Sequence, residues 1–309
     1  MTLHRKTEAS HRALVRLTSP ACGSMAIRRR PDGILLVGGL SFLFLDRNRI
    51  VANTQVNEHD TDAGADRRVR ASAAQNTHAV VDRLLRSVLS SGLVLDIPSG
   101  TGAFQRHLAG SPFESVCADI EDLGVIAPEK FRRADMNERL PFDDNTFDAV
   151  VSIEGIEHIE RPFDFIRECR RVVKPGGYLL LTTPNISALR SRWRWLLTGF
   201  HNKCKYPLDE NNPAPRHHIN MLSFPELRYM LHTNGFRIEG ISTNRIKAIS
   251  WLYLPLIPLQ CVVSRMAFPR GVKNPEHGRI TAETAQQMMS IPVLFGESLI
   301  LVARALESE

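Results

Sequence analysis

Residues Val94 to Gly102 read Val-Leu-Asp-Ile-Pro-Ser-Gly-Thr-Gly, an apolar run that ends in an acid and opens into a glycine turn. Val94, Leu95 and Ile97 have the character of a buried strand, and Gly100 and Gly102 allow a tight turn whose backbone can lie against a ligand. Phe104 to Leu108 then begins a helix. Strand, glycine turn and helix in that order open a nucleotide-binding parallel sheet. The unit alone leaves the ligand undecided, because the same turn serves several phosphate- and nucleoside-bearing molecules.

The rest of the chain repeats the alternation. Val80, Val81, Leu84, Leu85, Val88 and Leu89 lie on one face of a predicted helix over 78–91, ended by Gly92. Ser115 to Asp119 reads as a second strand ending in an acid, Phe147 to Ile153 as a third and Gly177 to Thr183 as a fourth. A helix opening at Pro162 is expected to turn Phe163, Ile166, Cys169 and Val173 inward and to stop at Lys174-Pro-Gly-Gly177. Ser223-Phe-Pro-Glu226 is a capping box for a further helix, followed by strands at 236–242 and 297–303. The fold class expected is α/β: a Rossmann-like, doubly wound, mostly parallel seven-stranded sheet with helices on both faces and an apolar insertion before the last strand.

Charge divides the chain. Residues 1–75 carry 12 Lys/Arg against 7 Asp/Glu, whereas residues 76–309 carry 27 against 26, so the overall net charge of +6 sits largely in an arm. Residues 1–75 are therefore read as a basic N-terminal arm, largely disordered, and 76–305 as the folded domain, with 249–296 an insertion or lid within it. Ile34 to Leu45 is apolar but too short and broken by two glycines for a membrane span, and reads as a strand or hairpin, with a membrane-contacting arm or disorder as alternatives. Met25 is an alternative start. Five scattered cysteines with no C-x-x-C pair fit a reducing cytoplasm.

Several motifs together resemble class I S-adenosylmethionine-dependent methyltransferases over most of residues 78–305. Asp96 to Gly102 is similar to the family's acidic, glycine-rich first motif, with Pro98 where a glycine often stands. Asp119 matches the acid used on the ribose hydroxyls, and Asp135-Met136 falls where the family contacts adenine. Leu140 to Asp148 resembles the loop into the fourth strand and Arg171 to Gly177 the helix-end turn, with structural roles expected for Asp148 and Lys174. The resemblance implies S-adenosyl-L-methionine as cofactor, with Asp96, Pro98, Gly100, Gly102, Asp119, Asp135 and Met136 as its site.

The turn Glu154-Gly-Ile-Glu157-His158 lies where the family's acceptor and methyl group meet. If helical, it places Glu154, Glu157 and His158 at i, i+3 and i+4 on one face. This E-x-x-E-H pattern resembles two groups: ubiquinone-pathway-like O-methyltransferases of small molecules, and metal-dependent enzymes that methylate the 2′-hydroxyl at the 3′ end of small RNAs. In the second group a later histidine completes a metal site, and His218 stands sixty residues after His158. Glu154, Glu157, His158 and His218 are thus candidate ligands for Mg²⁺ or Mn²⁺. The alternatives left open are His158 as a metal-free general base, Glu154 holding cofactor or substrate, and purely structural roles.

The expected function is methylation of an oxygen on a small-molecule, lipid or glycan intermediate. The alternatives are a metal-dependent RNA 2′-O-methyltransferase and a non-catalytic S-adenosylmethionine-binding protein. The near-neutral body counts against nucleic acid as a partner. Two further segments bear on partners. Residues 187–207 interleave Arg190, Arg192, Arg194, Lys203 and Lys205 with Trp193, Trp195 and Phe200, read as a cover helix with a solvated basic face and packed tryptophans, or alternatively as a patch for an acidic or phosphorylated substrate or an anionic membrane surface. The apolar stretch 249–268, interrupted by Pro255 and Pro258, is a lid or buried hairpin, or alternatively a peripheral membrane contact that would place a cytoplasmic protein at a membrane.

Overall fold

The computed structural model describes residues 73–268 and 274–307, together with the backbone of three short strands near the N-terminus. Those strands, β1 (Ile27–Arg29), β2 (Ile34–Val37) and β3 (Leu40–Leu43), pair in antiparallel order within a separate unit spanning Met1–Thr61. The hairpin expected at 34–45 is therefore present as β2 and β3. The expected disorder of most of the arm and the alternative start at Met25 lie outside the described residues.

The second unit is built on a seven-stranded sheet. Its strands in chain order are β4 (Gly92–Asp96), β5 (Phe113–Asp119), β6 (Phe131–Arg133), β7 (Phe147–Ile153), β8 (Val173–Pro184), β9 (Phe236–Thr243) and β10 (Ser298–Ala305). In space they run β6-β5-β4-β7-β8-β10-β9. The pairs among β4 to β8 are parallel, whereas β10 is antiparallel to both β8 and β9. The expected mostly parallel, doubly wound sheet is thus the observed one, and the strand order reverses between β4 and β7, the point at which open α/β sheets bind ligands.

Period-two alternation explains the two layers. Leu95, Val150, Leu179, Leu181, Leu299 and Leu301 face one core, whereas Val94, Ala149, Val151, Leu180, Ile300 and Val302 face the other. Helices α1 (Thr77–Val88) and α2 (Ala103–Leu108) close the second face through Val81, Leu85, Phe104 and Leu108. Helices α3 (Pro162–Val172) and α5 (Phe224–Thr233) close the first through Phe165, Ile166, Phe224 and Leu231. Helix α5 starts at the expected capping box, in which both reciprocal bonds between Ser223 and Glu226 form.

Two local expectations fail. Phe163 is exposed and Phe165, two positions on, takes the buried site, because α3 starts at Pro162 and its inward stripe runs through Phe165, Ile166, Cys169 and Val172. The helix stops at Val172, before Lys174-Pro-Gly-Gly177 as expected, but the strand does not wait for Gly177. Val173 already pairs with Phe147, and an irregularity in the ladder absorbs the Pro-Gly-Gly step.

The insertion before β10 is helical, which removes the hairpin reading. A 3-10 segment (Ala248–Tyr253) leads into α6 (Leu256–Ala267), then α7 (Pro275–Met288) and the short α8 (Ile291–Phe295). Pro258 falls in the first turn of α6, where its missing N–H has no helical acceptor to lose. Helix α4 (Leu189–Thr198) follows β8 and packs on 248–253. Its two faces are the reverse of the expected ones: Trp193 and Trp195 lie outward, and the Arg192 guanidinium turns inward to donate to the Ser187 carbonyl at 2.5 Å.

Candidate active site

The glycine turn leaves β4 at the strand-order reversal. Ile97 N donates to Val151 O and Ser99 N to Ala118 O, both at 2.9 Å, so the turn is stitched to the strands on either side. Gly102 N closes it on Ser99 O at 2.8 Å. Gly100 and Gly102 have φ of +52° and +71°, the region where a side chain is strained. A Cβ on Gly102 would also stand 2.9 Å from Ile126 Cγ1, so close approach as well as conformation requires glycine there.

Two polar atoms of this turn are buried without a protein partner: Asp96 Oδ2 and Ser99 Oγ. Desolvation, reinforced by Asp119, pushes the Asp96 carboxyl well above the usual range. Such an acid, 1% exposed, is suited to a ligand that brings a donor or a positive charge to it. Asp119, at the end of β5, accepts from Gly100 N at 2.8 Å through Oδ2 and so braces the turn from the neighbouring strand. Asp135 uses one oxygen to hold its own loop, accepting from Asn137 N at 2.8 Å, and Met136 beside it is buried. Asp148 and Lys174 form an ion pair at 2.7 Å, with Leu93 N also donating to Asp148 at 2.8 Å; both are structural, as expected.

The turn after β7 departs from the expected helix. Glu154 has φ of +48°, and only Ile156–His158 form one 3-10 turn, so the three side chains do not share a helical face. The Glu154 carboxylate accepts from Ser298 Oγ at 2.7 Å and from Ala74 N at 3.2 Å. It is therefore spent on the first residue of β10 and on the segment before α1, which corrects its assignment as a metal ligand.

Glu157, His158 and His218 do come together, with one donor atom from each lying within 4.8 Å of the others. Glu157 is fully buried; it accepts from Thr183 Oγ1 at 3.0 Å, and its Oε1 has no protein partner. Burial pushes its carboxyl up to about 8, and Glu154 adds to the shift. His158 Nδ1 donates to His217 O at 3.1 Å, which leaves Nε2 as the basic nitrogen. Burial lowers the pKa of His158 and takes that of His218 down to about 4, so both rings are neutral near pH 7. The two rings meet edge to face at 4.7 Å between centroids.

Gly155 joins the two halves of the site. A Cβ there would lie 2.8 Å from Pro98 Cγ and 3.3 Å from Met136 Cε, so the glycine turn, the loop after β6 and the Glu157–His158 turn touch at one point. Sequence reading missed Thr183 and Ser298, which hold Glu157 and Glu154. Neither stands in a motif; Ser298 reaches this edge only because β10 runs antiparallel and starts where β8 ends.

Residues 95–181 match the family described as "Methyltransferase domain". The ubiquinone/menaquinone biosynthesis C-methyltransferase UbiE of Pseudomonas fluorescens (strain Pf0-1) is 38% identical over 112 residues, which cover 31% of this chain and 43% of the relative. UbiE of Pseudomonas aeruginosa (strain LESB58) is 39% identical over the same length and the same shares. The chain thus spans less than half the length of these relatives. Among solved structures, a methyltransferase in complex with the Haloferax volcanii Trm112 activator superposes with a TM-score of 0.46 at 17% identity, covering 76% of this chain and 91% of that one. A SAM-dependent methyltransferase from Archaeoglobus fulgidus gives 0.43 at 19% identity, covering 74% and 94%.

Proposed function

We propose that the chain, whose residues 95–181 match a methyltransferase domain, is a class I S-adenosylmethionine-dependent methyltransferase that transfers a methyl group from this cofactor to an oxygen of a small-molecule, lipid or glycan acceptor. The observation that carries the proposal is the contact of Gly155 with Pro98 and Met136, which brings the cofactor-binding turn against the Glu157–His158 turn. Asp96 and Ser99 fit the polar amino-acid end of the cofactor, Asp119 its ribose and Asp135-Met136 its adenine.

The sulfonium of the cofactor is already activated, so alignment of acceptor, methyl and sulfur supplies much of the rate. What remains is removal of the acceptor proton. His158 suits that step: its Nδ1–H is fixed by His217 O, and its Nε2 is neutral and basic at pH 7. The same base would serve an acidic carbon, and the names of the UbiE relatives favour that second reading.

A divalent cation also fits the Glu157, His158 and His218 donors, because Glu157 Oε1 and His218 Nδ1 are both buried without a protein partner. When bound it would act as a Lewis acid on an acceptor oxygen. Mn²⁺ suits the mixed carboxylate and imidazole donors better than Mg²⁺, which prefers oxygen ligands.

Transfer of a ¹³C-methyl group from labelled cofactor into fractionated cell extract tests the function. A methylated oxygen, identified by the chemical shift of the new methyl carbon, is the expected product; a methyl on carbon selects the second reading. Absence of cofactor binding in calorimetry overturns both. Full activity after EDTA treatment excludes the cation.

A further inference from the structure

Exposed apolar side chains concentrate on three adjoining elements, α4, residues 248–253 and α6. Trp195 is 53% exposed, Leu196 67% and Leu197 65% on α4, Leu252 is 72% exposed, and Leu259 and Met266 on α6 are 62% and 60% exposed. The inner edges of these elements share one small core around Leu189, Leu294 and Phe295, with Tyr253, Leu256 and Ile257 packed against it. Helix α4 packs on 248–253, which runs directly into α6, so the three elements adjoin. Helix α6 buries none of its residues, although Arg265 is its only charged one. An apolar helix left open on this scale marks a surface that meets something apolar.

The charge around this face says what. The segments 185–208 and 240–268 that build it contain no Asp or Glu, and besides the inward-turned Arg192 they carry Arg190, Arg194, Lys203, Lys205, Arg245, Lys247 and Arg265. Among the described residues, the one carboxylate that pairs with these cations is Glu297, which receives Arg245 at 2.5 Å, Lys247 at 2.7 Å and Lys203 at 3.7 Å. Three cations on one carboxylate leave an excess of positive charge. A cleft of about 200 Å³ opens among Arg190, Lys203, Lys205 and Lys247, at the base of α4. Exposed tryptophans and leucines with such a basic surround match the interface of an anionic bilayer, where rings and aliphatic chains enter the headgroup layer and cations meet phosphate. At twelve residues, roughly 18 Å, α6 is too short to span a membrane, and no described helix is long and apolar enough to do so.

We propose that α4, residues 248–253 and α6 form a docking face that seats the protein on an anionic lipid surface. The face rests on exposure and charge alone and does not require methyl transfer. Because α4 leaves the sheet directly after β8, at the edge that carries Glu157 and Thr183, docking would hold the acceptor side of the site towards the membrane.

Flotation of the full chain with vesicles tests this. Wild-type protein is expected to float with vesicles of phosphatidylcholine and phosphatidylglycerol, to remain behind with phosphatidylcholine alone, and to bind more weakly at high salt. Leu259→Glu with Val263→Glu should reduce the bound fraction at least tenfold, whereas Tyr229→Glu on α5 should not; melting temperature and S-adenosylmethionine binding report that each variant is folded. A second pair, Leu196→Glu with Leu252→Glu, should repeat the loss from the other elements of the face. No flotation with anionic vesicles overturns the proposal, as does flotation that both pairs leave unchanged. A dimer in light scattering that dissociates with the same substitutions, without lipid binding, would assign the face to a second copy and overturn it too.

Discussion

Gly155 lies against Pro98 so closely that a methyl group on its Cα would stand 2.8 Å from Pro98 Cγ and nearer still to Cδ. The backbone of Gly155 is not in the left-handed region, so the constraint is steric, set by the neighbouring turn. Gly155→Ala should push the glycine turn and Met136 outward and weaken S-adenosylmethionine binding by at least tenfold, about 1.4 kcal/mol. Calorimetric titration measures it; an unchanged dissociation constant would show that the turn does not line the cofactor site.

Asp119 braces the same turn from β5 through Gly100 N. Asp119→Ala removes this bond and the acid proposed for the ribose. The expected loss is ten- to a hundredfold in cofactor affinity, from roughly 1.5–3 kcal/mol for a hydrogen bond to a charged group. Asp119→Asn, which can keep the Gly100 bond, should lose less.

The folded-state pKa of Glu157, pushed up to about 8, lies above the ordinary carboxylate value of 4.5. Its contribution to stability is therefore complete below about pH 4.5 and is lost as pH rises towards 8. The loss should amount to a few kcal/mol, since each pH unit between the two values changes the balance by roughly 1.4 kcal/mol. Urea unfolding across this range measures it, and Glu157→Gln should flatten the profile. With Mn²⁺ present at pH 8, wild type should gain stability and the Gln variant should not; equal profiles without metal would refute the burial argument.

His158 has a pKa below the ordinary histidine value of 6.5, because burial disfavours its charged form. The acid limb of kcat/KM should accordingly lie below pH 6.5, with activity level above it. His158→Ala should lower kcat by about 10² to 10⁴ if the imidazole takes the acceptor proton. A variant with full activity would remove the base from the proposal.

Arg228, 4% exposed on α5, donates to Glu283 at 2.9 Å and to Gln287 at 2.8 Å on α7. It ties α7 to the core by polar contacts. Arg228→Ala should destabilise the chain by about 2 kcal/mol, allowing for the partial exposure of Glu283. Arg228→Met should recover part of the loss by refilling the space, and denaturant midpoints decide between them.

The strands and helices are legible wherever a pattern is local. Phe147 to Ile153 reads to its observed bounds, and Ser223 to Glu226 announces the start of α5, because strand alternation and capping depend on residues a few positions apart. Phe163 is misplaced for the same reason: with aromatics at 163 and 165, one residue shifts the inward stripe, and packing on the sheet decides between them. The inserted helices are less legible, since an apolar run with two prolines fits several local structures.

Within the site, sequence order alone determined that an acid, a glycine turn and a Glu-x-x-Glu-His turn follow successive parallel strands and so meet at one edge of the sheet. Only tertiary structure decided which carboxylate does what. Glu154 and Glu157 are equivalent in the motif, but β10 enters between β8 and β9 in the opposite direction and delivers Ser298 to Glu154, leaving Glu157 facing His158 and His218. The periodicity of a chain is written in neighbouring residues, whereas the partner of a buried carboxylate is set by whichever distant strand arrives beside it. The exposed apolar residues of α4 and α6 belong to the second kind: sequence marked α6 as apolar and α4 as a basic face with packed tryptophans, and only packing turned Trp193 and Trp195 outward.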